Sequence, residues 1–279
     1  AIEMKRSIHI KGTELDLSTP IVMGILNVTP DSFSDGGRYN TLDAALKQAD
    51  QMIADGASML DIGGYSSRPG ALDVSVQEEL ERVIGILEKI AKSFDVAISI
   101  DTFRSDVARE AVAAGASIVN DISAGEDDPE MLQTVAELNV PYIAMHKQGV
   151  SKTMQDNPVY ENVVDEVYGY LKSKIAECRV LGIKDVIIDP GFGFGKTMEH
   201  NFALLRNLKN IEKLNVPILA GLSRKSMIYK TLNGSPESAL NGTSFLHSYA
   251  LEGGANILRA HDVLAATECI KLWRRINRL

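Results

Sequence analysis

Amides, carboxylates and cations recur in this chain at one kind of place, the end of a short apolar run. Asn27 closes "IVMGIL", Asp61 lies within "MLDIGG", Asp101 follows "VAISI", and Asn120-Asp121 ends "ASIVN". His146 follows "PYIAM", Asp189 closes "DVIID", Ser223 to Ser226 follow "PILAGL", and Arg259 and His261 end "ANILRA". Any one of these alone reads as a turn former or a helix cap, and Asp106 and Asp262 carry only that reading. Polar ends on all eight runs point instead to one functional face. Arg38, Arg68, Arg224, Lys225 and Arg259 gather in the same loops although the chain has a formal net charge of -8. A local cationic mouth in an acidic protein suits a small anionic substrate. The sharpest case is Ser223-Arg224-Lys225-Ser226, two adjacent cations where a strand opens into a helix.

The apolar runs read as strands buried on both faces. Between them lie amphipathic stretches such as "VQEELERVIGILEKIAK" and "SDVAREAVAAG", several ending in Gly, as at Gly56, Gly115 and Gly182. Gly suits the left-handed residue after a helix. Buried strands each followed by a helix imply a parallel sheet covered by helices, and eight such units predict an α/β chain folded as a (β/α)₈ TIM barrel. A doubly wound open sheet is the structural alternative. "SIHIKGTELDL" predicts a short N-terminal β-hairpin turning at Lys11-Gly12 and plugging the barrel bottom. The organisation read from these patterns is a single domain, 1–279, with the hairpin in 1–19 and the barrel in 20–279.

Composition narrows the partners. Against 37 Asp and Glu stand 29 Lys and Arg, which argues against nucleic-acid binding through a broad basic face. No apolar run approaches the ~20 residues of a membrane span. The N-terminus carries no signal-like apolar core, and Cys178 and Cys269 lie far apart in helical segments, so a reducing cytoplasm is the expected location.

Two loops are long and polar. "NVTPDSFSDGGRYN" (27–40) reads as a mobile lid carrying Phe33, and "GGYSSRPGA" (63–71) carries Arg68. "DPGFGFGKT" (189–197) imitates a phosphate loop but leaves only three residues between Gly191 and Gly195, where the Walker pattern needs four. Its glycines are expected to let the backbone pass beneath a flat ligand, with Phe192 or Phe194 nearby.

"GILNVTPDSFSDGG", "DIGG-SSRPGA", "SIDT", "VNDIS", "DPGFGFGK", "SRKS" and "R-HDV", in this order from about Ile21 to Val263, resemble the bacterial dihydropteroate synthases. The resemblance implies a TIM barrel that joins 6-hydroxymethyl-7,8-dihydropterin diphosphate to p-aminobenzoate, with Mg²⁺ assisting, in folate biosynthesis. It implies a homodimer and a sulfonamide target. It assigns the pterin to Asp101, Asn120, Asp189, Lys225 and Arg259. The diphosphate falls to Asn27, Ser67, Arg68, Arg259 and His261, with Asn27 as the protein ligand to Mg²⁺. The p-aminobenzoate falls to Phe33, Pro69, Phe194, Lys225 and Ser226. A pterin's N3–H and 2-amino group can both donate to one carboxylate, which the resemblance makes Asp189. The implied reaction is SN1-like: Arg68, Arg259 and His261 stabilise departing pyrophosphate, Asp101 offsets the methylene cation, and a lid with Phe33 and Asp35 excludes water. Within "SRKS", Lys225 is expected to face the pterin and Ser226 the p-aminobenzoate carboxylate, Arg224 to turn away, and Ser223 to act as a cap.

The chain departs from the family at Tyr65, where Glu is more frequent, at Ser67 (usually Thr) and at Lys147 (often Met), and its "GTSFLHSYALEGGAN" is bulkier than usual. Tyr65 lies in a loop that helps form the second-substrate site, so this change bears on p-aminobenzoate affinity and sulfonamide response. Two other readings stand beside this one: a pterin-dependent methyltransferase serving a corrinoid protein, and a non-catalytic pterin-binding barrel.

Overall fold

The computed structural model describes residues 6–29, 38–67, 71–149 and 154–279, with backbone alone at 38–40. Phe33, Asp35, Arg68 and Pro69, and with them the proposed lid, lie outside the described residues.

Strands β1 (Ser7–Ile10) and β2 (Thr13–Asp16) form an antiparallel hairpin. Its turn residues Lys11 and Gly12 both have positive φ, 50° and 78°, as a two-residue turn matched to strand twist requires. Eight parallel strands follow: β3 (Ile21–Asn27), β4 (Ala57–Gly63), β5 (Ala97–Asp101), β6 (Ile118–Asp121), β7 (Tyr142–Met145), β8 (Val186–Asp189), β9 (Leu219–Ala220) and β10 (Ile257–Ala260). Each coincides with one of the apolar runs. Their order is β8-β7-β6-β5-β4-β3-β10-β9, and a parallel bridge between Ile188 and Ile218 joins the two ends. This closure, with no reversal of strand order, overturns the open-sheet alternative.

Helices α1 (Arg38–Ala54), α2 (Val76–Ser93), α3 (Ser105–Ala114), α4 (Met131–Leu138), α5 (Val163–Val180), α6 (Met198–Arg206), α7 (Leu208–Glu212), α8 (Ser226–Thr231), α9 (Leu240–Glu252) and α10 (Val263–Ile276) surround the barrel. In α2, Val83, Ile86, Leu87 and Ile90 are buried at helical spacing, and the Ser75 hydroxyl accepts the Glu78 N–H as N-cap. These side chains pack with the outward residues of the strands, among them Leu26, Leu60, Ile62, Ile98 and Val119, in the main core.

A second, smaller core fills the lower barrel interior. Met23, Met59, Ile118, Ile143, Ile187, Leu219 and Ile257, one from each of seven strands, pack with Ile8 and Leu17 of the hairpin segment. The hairpin is therefore the expected plug. Buried Asn256 fastens it, donating to the Leu17 carbonyl (3.0 Å) and accepting from the Ile218 N–H (3.0 Å). Strand side chains alternate, so the residue two beyond each of these apolar positions faces the same interior, one layer higher. Counting by two gives Asp61, Asn120, Asp189 and Arg259.

Candidate active site

The upper layer is held together by side chains from four strands. Asn120 Nδ2 donates to Asp61 Oδ2 at 3.0 Å, and Arg259 Nε donates to the same oxygen at 2.8 Å. Arg259 Nη2 reaches Asp101 Oδ2 at 3.5 Å, while the Tyr65 hydroxyl donates to Asp101 Oδ1 at 3.1 Å. The register explains this convergence, because Asp61 lies opposite Ser99, and Asp101 opposite Asn120. Asp61 Oδ1 is buried with no hydrogen-bond partner among the described residues. It leaves an acceptor that a ligand N–H can complete. Desolvation, and next the charge of Asp61, push the Asp101 carboxyl up to about 8, with Arg259 and Tyr65 working against that rise.

Asp189 faces the same barrel interior from β8. One oxygen accepts the Gly191 N–H (2.9 Å), and burial holds this carboxyl above its ordinary range despite Lys225, Arg259 and Lys196 nearby. The loop after it is braced from beneath by Lys196, whose side chain is buried. Its Nζ donates to the carbonyls of Gly191 (2.8 Å), Phe194 (3.0 Å) and His146 (3.4 Å), and desolvation lowers its pKa to about 7. Gly191 and Gly195 serve this packing. A Cβ on Gly191 (φ +75°) would overlap the His146 carbonyl oxygen, and one on Gly195 (φ +65°) the Gln148 carbonyl oxygen. At these two positions the loop passes close to the chain just after β7, while a Cβ on Gly193 (φ +83°) would meet only the Lys225 side chain, 3.5 Å away. Phe192 is buried in the main core. The half-exposed Phe194 is the aromatic at the mouth, with Lys225 Nζ 4.4 Å from its ring centroid.

The two cations of "SRKS" part company through backbone geometry. Arg224 has φ 55°, and its N–H donates to Thr243 Oγ1 (3.0 Å). Its guanidinium grips Asp262 with two bonds, 2.8 and 3.0 Å, and caps the Pro236 and Glu237 carbonyls. It points away from the mouth, as expected. Lys225 occupies the residue before α8 and turns toward Phe194, and Ser226 is the first residue of that short helix. Ser223 is not a cap. Its hydroxyl meets His261 Nδ1 (2.8 Å) and accepts the His261 N–H (3.1 Å), so it braces the histidine at the end of β10. Asp262, read as a cap, makes no side-chain cap bond and serves Arg224.

Asn27 ends β3, half-buried and in register with Gly63, which in turn pairs with Asp101. Ser67, also half-buried, lies two residues beyond Tyr65. Two strand-end residues do not join the site. Asp121 is buried on the outer face, accepting from Tyr142 Oη (2.6 Å), Ser123 and Gly125. His146 is buried against Tyr170, and desolvation lowers its pKa to about 3. Lys147 pairs with Asp127 at 3.0 Å. The sequence put Asp61 on the polar face and Tyr65 in the loop beside the second-substrate site, but showed neither the Asp61 hub nor the Tyr65–Asp101 bond, and it gave Lys196 no role.

The model of the pterin binding enzyme family matches residues 23–261. The dihydropteroate synthase of Escherichia coli (strain K12) is 48% identical over 264 residues, 94% of this chain and 93% of that protein. The Yersinia pestis dihydropteroate synthase in complex with a sulfonamide drug has a TM-score of 0.92 at 42% identity, covering 98% of this chain and 100% of that one. The Xanthomonas albilineans dihydropteroate synthase with 4-aminobenzoic acid has the same TM-score and identity over 98% and 99%. A closed barrel with this polar upper layer, matched across nearly its whole length, places the chain among the dihydropteroate synthases of the pterin binding enzyme family.

Proposed function

We propose that the chain condenses 6-hydroxymethyl-7,8-dihydropterin diphosphate with p-aminobenzoate, giving 7,8-dihydropteroate and pyrophosphate in folate biosynthesis. One observation carries the reading at the residue level. Asp189, Asn120, Asp61 and Arg259 converge in one layer, offering acceptors for a heterocycle's N–H groups beside a cation for its phosphates. Asp189 accepts from the pterin N3–H and 2-amino group, Asn120 and Asp101 meet the remaining ring nitrogens, and Lys225 donates to the opposite edge. The methylene C–O bond breaks as pyrophosphate leaves, the amine nitrogen forms the new C–N bond, and the anilinium proton passes to water. No enzyme nucleophile is needed, because an arylamine is neutral and nucleophilic at pH 7. Arg259, Arg68 and His261, with Ser67, hold the departing diphosphate, and Asp101, in its ionised form, offsets the methylene cation whose charge in turn favours that form. Phe33 and Asp35 belong to the segment assigned to excluding water. Pro69, Phe194 and Ser226 form the p-aminobenzoate side.

Asn27 fits a magnesium site of the kind that relies on substrate oxygens. Its carboxamide is a hard oxygen donor at the mouth, and Mg²⁺ commonly takes one or two protein ligands, keeping waters and phosphate oxygens for the rest. Bound there, Mg²⁺ would neutralise charge on the diphosphate. A homodimer is part of the same proposal. Phe245 and Tyr249 on α9, and Leu272 and Ile276 on α10, expose apolar surface at i,i+4 spacing, which suits a second copy. Cytoplasmic location is also proposed, in keeping with two free thiols, Cys178 and Cys269.

The test is pyrophosphate release with and without p-aminobenzoate. Release that requires the arylamine, with dihydropteroate formed in equal amount, is the expected result. Pterin binding without release would make this a non-catalytic barrel.

A further inference from the structure

Tyr65 stands just beyond β4, and its surroundings fix it on both sides. The preceding carbonyl, that of Gly64, accepts Arg82 Nη1 at 2.9 Å, tying the loop to α2. The ring meets Phe103 edge-on, with centroids 5.3 Å apart and planes at 88°. Between these anchors the hydroxyl donates to Asp101 Oδ1 at 3.1 Å, while Arg259 approaches the other oxygen at 3.5 Å. The Asp101 carboxylate is thus held at both oxygens, by a phenol on one and a guanidinium on the other.

Among the described residues the charged groups acting on Asp101 are Asp61 from β4, Glu79 from α2 and Arg259 from β10, two anions against one cation. In that balance one further donor matters, because a hydrogen bond to the ionised form favours it. With Asp101 ionised, the roles of the pair are fixed. Desolvation, and then the Asp101 charge, hold the Tyr65 phenol well above its usual range, so the tyrosine donates and the aspartate accepts.

We propose that Tyr65 is a positioning residue for the condensation: its hydroxyl sets the orientation of the Asp101 carboxylate and favours the ionised form where the pterin methylene gains positive charge. The catalytic half of this statement rests on the site reading above; the hydrogen-bond half does not. A glutamate at this position cannot play the part while ionised, since it has no proton to donate.

The test is a carboxyl ¹³C NMR titration of Asp101, its signal assigned by loss in Asp101→Asn. In Tyr65→Phe the midpoint should rise by about one pH unit. Site-specific 3-fluorotyrosine at position 65, a stronger donor, should lower it. Equal midpoints in all three proteins would overturn the proposal. Turnover supplies a second readout: in Tyr65→Phe the acid limb of kcat should move up in pH, with the KM for the pterin diphosphate changed less than twofold. A uniform fall in kcat at every pH would make Tyr65 merely structural and overturn its positioning role. A wild-type chain that releases no pyrophosphate would sink the site reading, while the titration would still decide whether Tyr65 governs Asp101.

Discussion

The lower and upper layers of the barrel interior are built by the same strands, two residues apart, and they obey opposite rules. Below, Met59, Ile118, Ile187 and Ile257 pack against Ile8 and Leu17 with no polar atom among their side chains, and each is fully or almost fully buried. Above, two steps along the same strands, Asp61, Asn120, Asp189 and Arg259 crowd charge into a space only slightly more exposed. Burial of the lower side chains stabilises the fold by about 1.5–3 kcal/mol each. The upper layer repays desolvation only through its mutual bonds, and imperfectly: Asp61 keeps an oxygen without a partner among the described residues, and Asp101 and Asp189 are held above their ordinary range. The protein accepts instability in the layer proposed to bind the pterin, and nowhere in the layer beneath it.

Breaking the upper layer at its centre should have the largest effect. Arg259→Met leaves Asp61 and Asp101 without their cation. We expect a loss of about 3 kcal/mol by urea denaturation, toward the low end because the guanidinium keeps 20% of its surface in water, together with loss of turnover. Breaking the lower layer should damage stability alone. Met59→Ala, at a fully buried position, should cost about 2–3 kcal/mol, with kcat unchanged below the melting transition. A change in kcat matching the stability loss would mean that the two layers are not separable.

Asp101→Asn should sharpen the comparison in the other direction. Its folded-state value of about 8 lies above the ordinary 3.8, so between these values the folded chain keeps a proton that the unfolded chain releases. Stability from this site is therefore full at low pH and falls as pH rises toward 8. The asparagine variant lacks that fall. Its melting temperature should match wild type near pH 4 and exceed it above pH 8, by about 1.4 kcal/mol or more of stability, while turnover drops. Parallel melting curves across that range would remove the charge conflict at Asp101.

The same two-layer geometry explains what could be read from the sequence. All eight strands were legible, because strands buried on both faces appear as unbroken apolar runs. Asn120, Asp189 and Arg259 were legible as strand ends, and so was the outward turn of Arg224. Parity was what strand ends alone did not show. Asn120 and Asp121 are neighbours, but only Asn120 shares the inward parity of Ile118, and Asp121 goes to the outer face to receive Tyr142. His146 likewise follows the inward Met145 and turns out. Asp61 was visible as a polar residue within an apolar run, yet its place as the hub depends on the approach of β6 and β10, which are distant in sequence. The packing role of Gly191 and Gly195 was hidden for a related reason, since the backbone they must clear, at His146 and Gln148, lies distant in sequence just after β7.

In the proposed function the upper layer holds the pterin, whereas the lower layer only holds the barrel together. Calorimetric titration of the pterin diphosphate into wild type, Asp189→Asn and Met59→Ala tests it most directly. Asp189→Asn puts an amide donor where the heterocycle presents its own donors, at a cost of about 2–4 kcal/mol or roughly 30- to 1000-fold in affinity, while Met59→Ala should bind as wild type does. Unchanged affinity in Asp189→Asn, or an equal loss in both variants, would contradict the account.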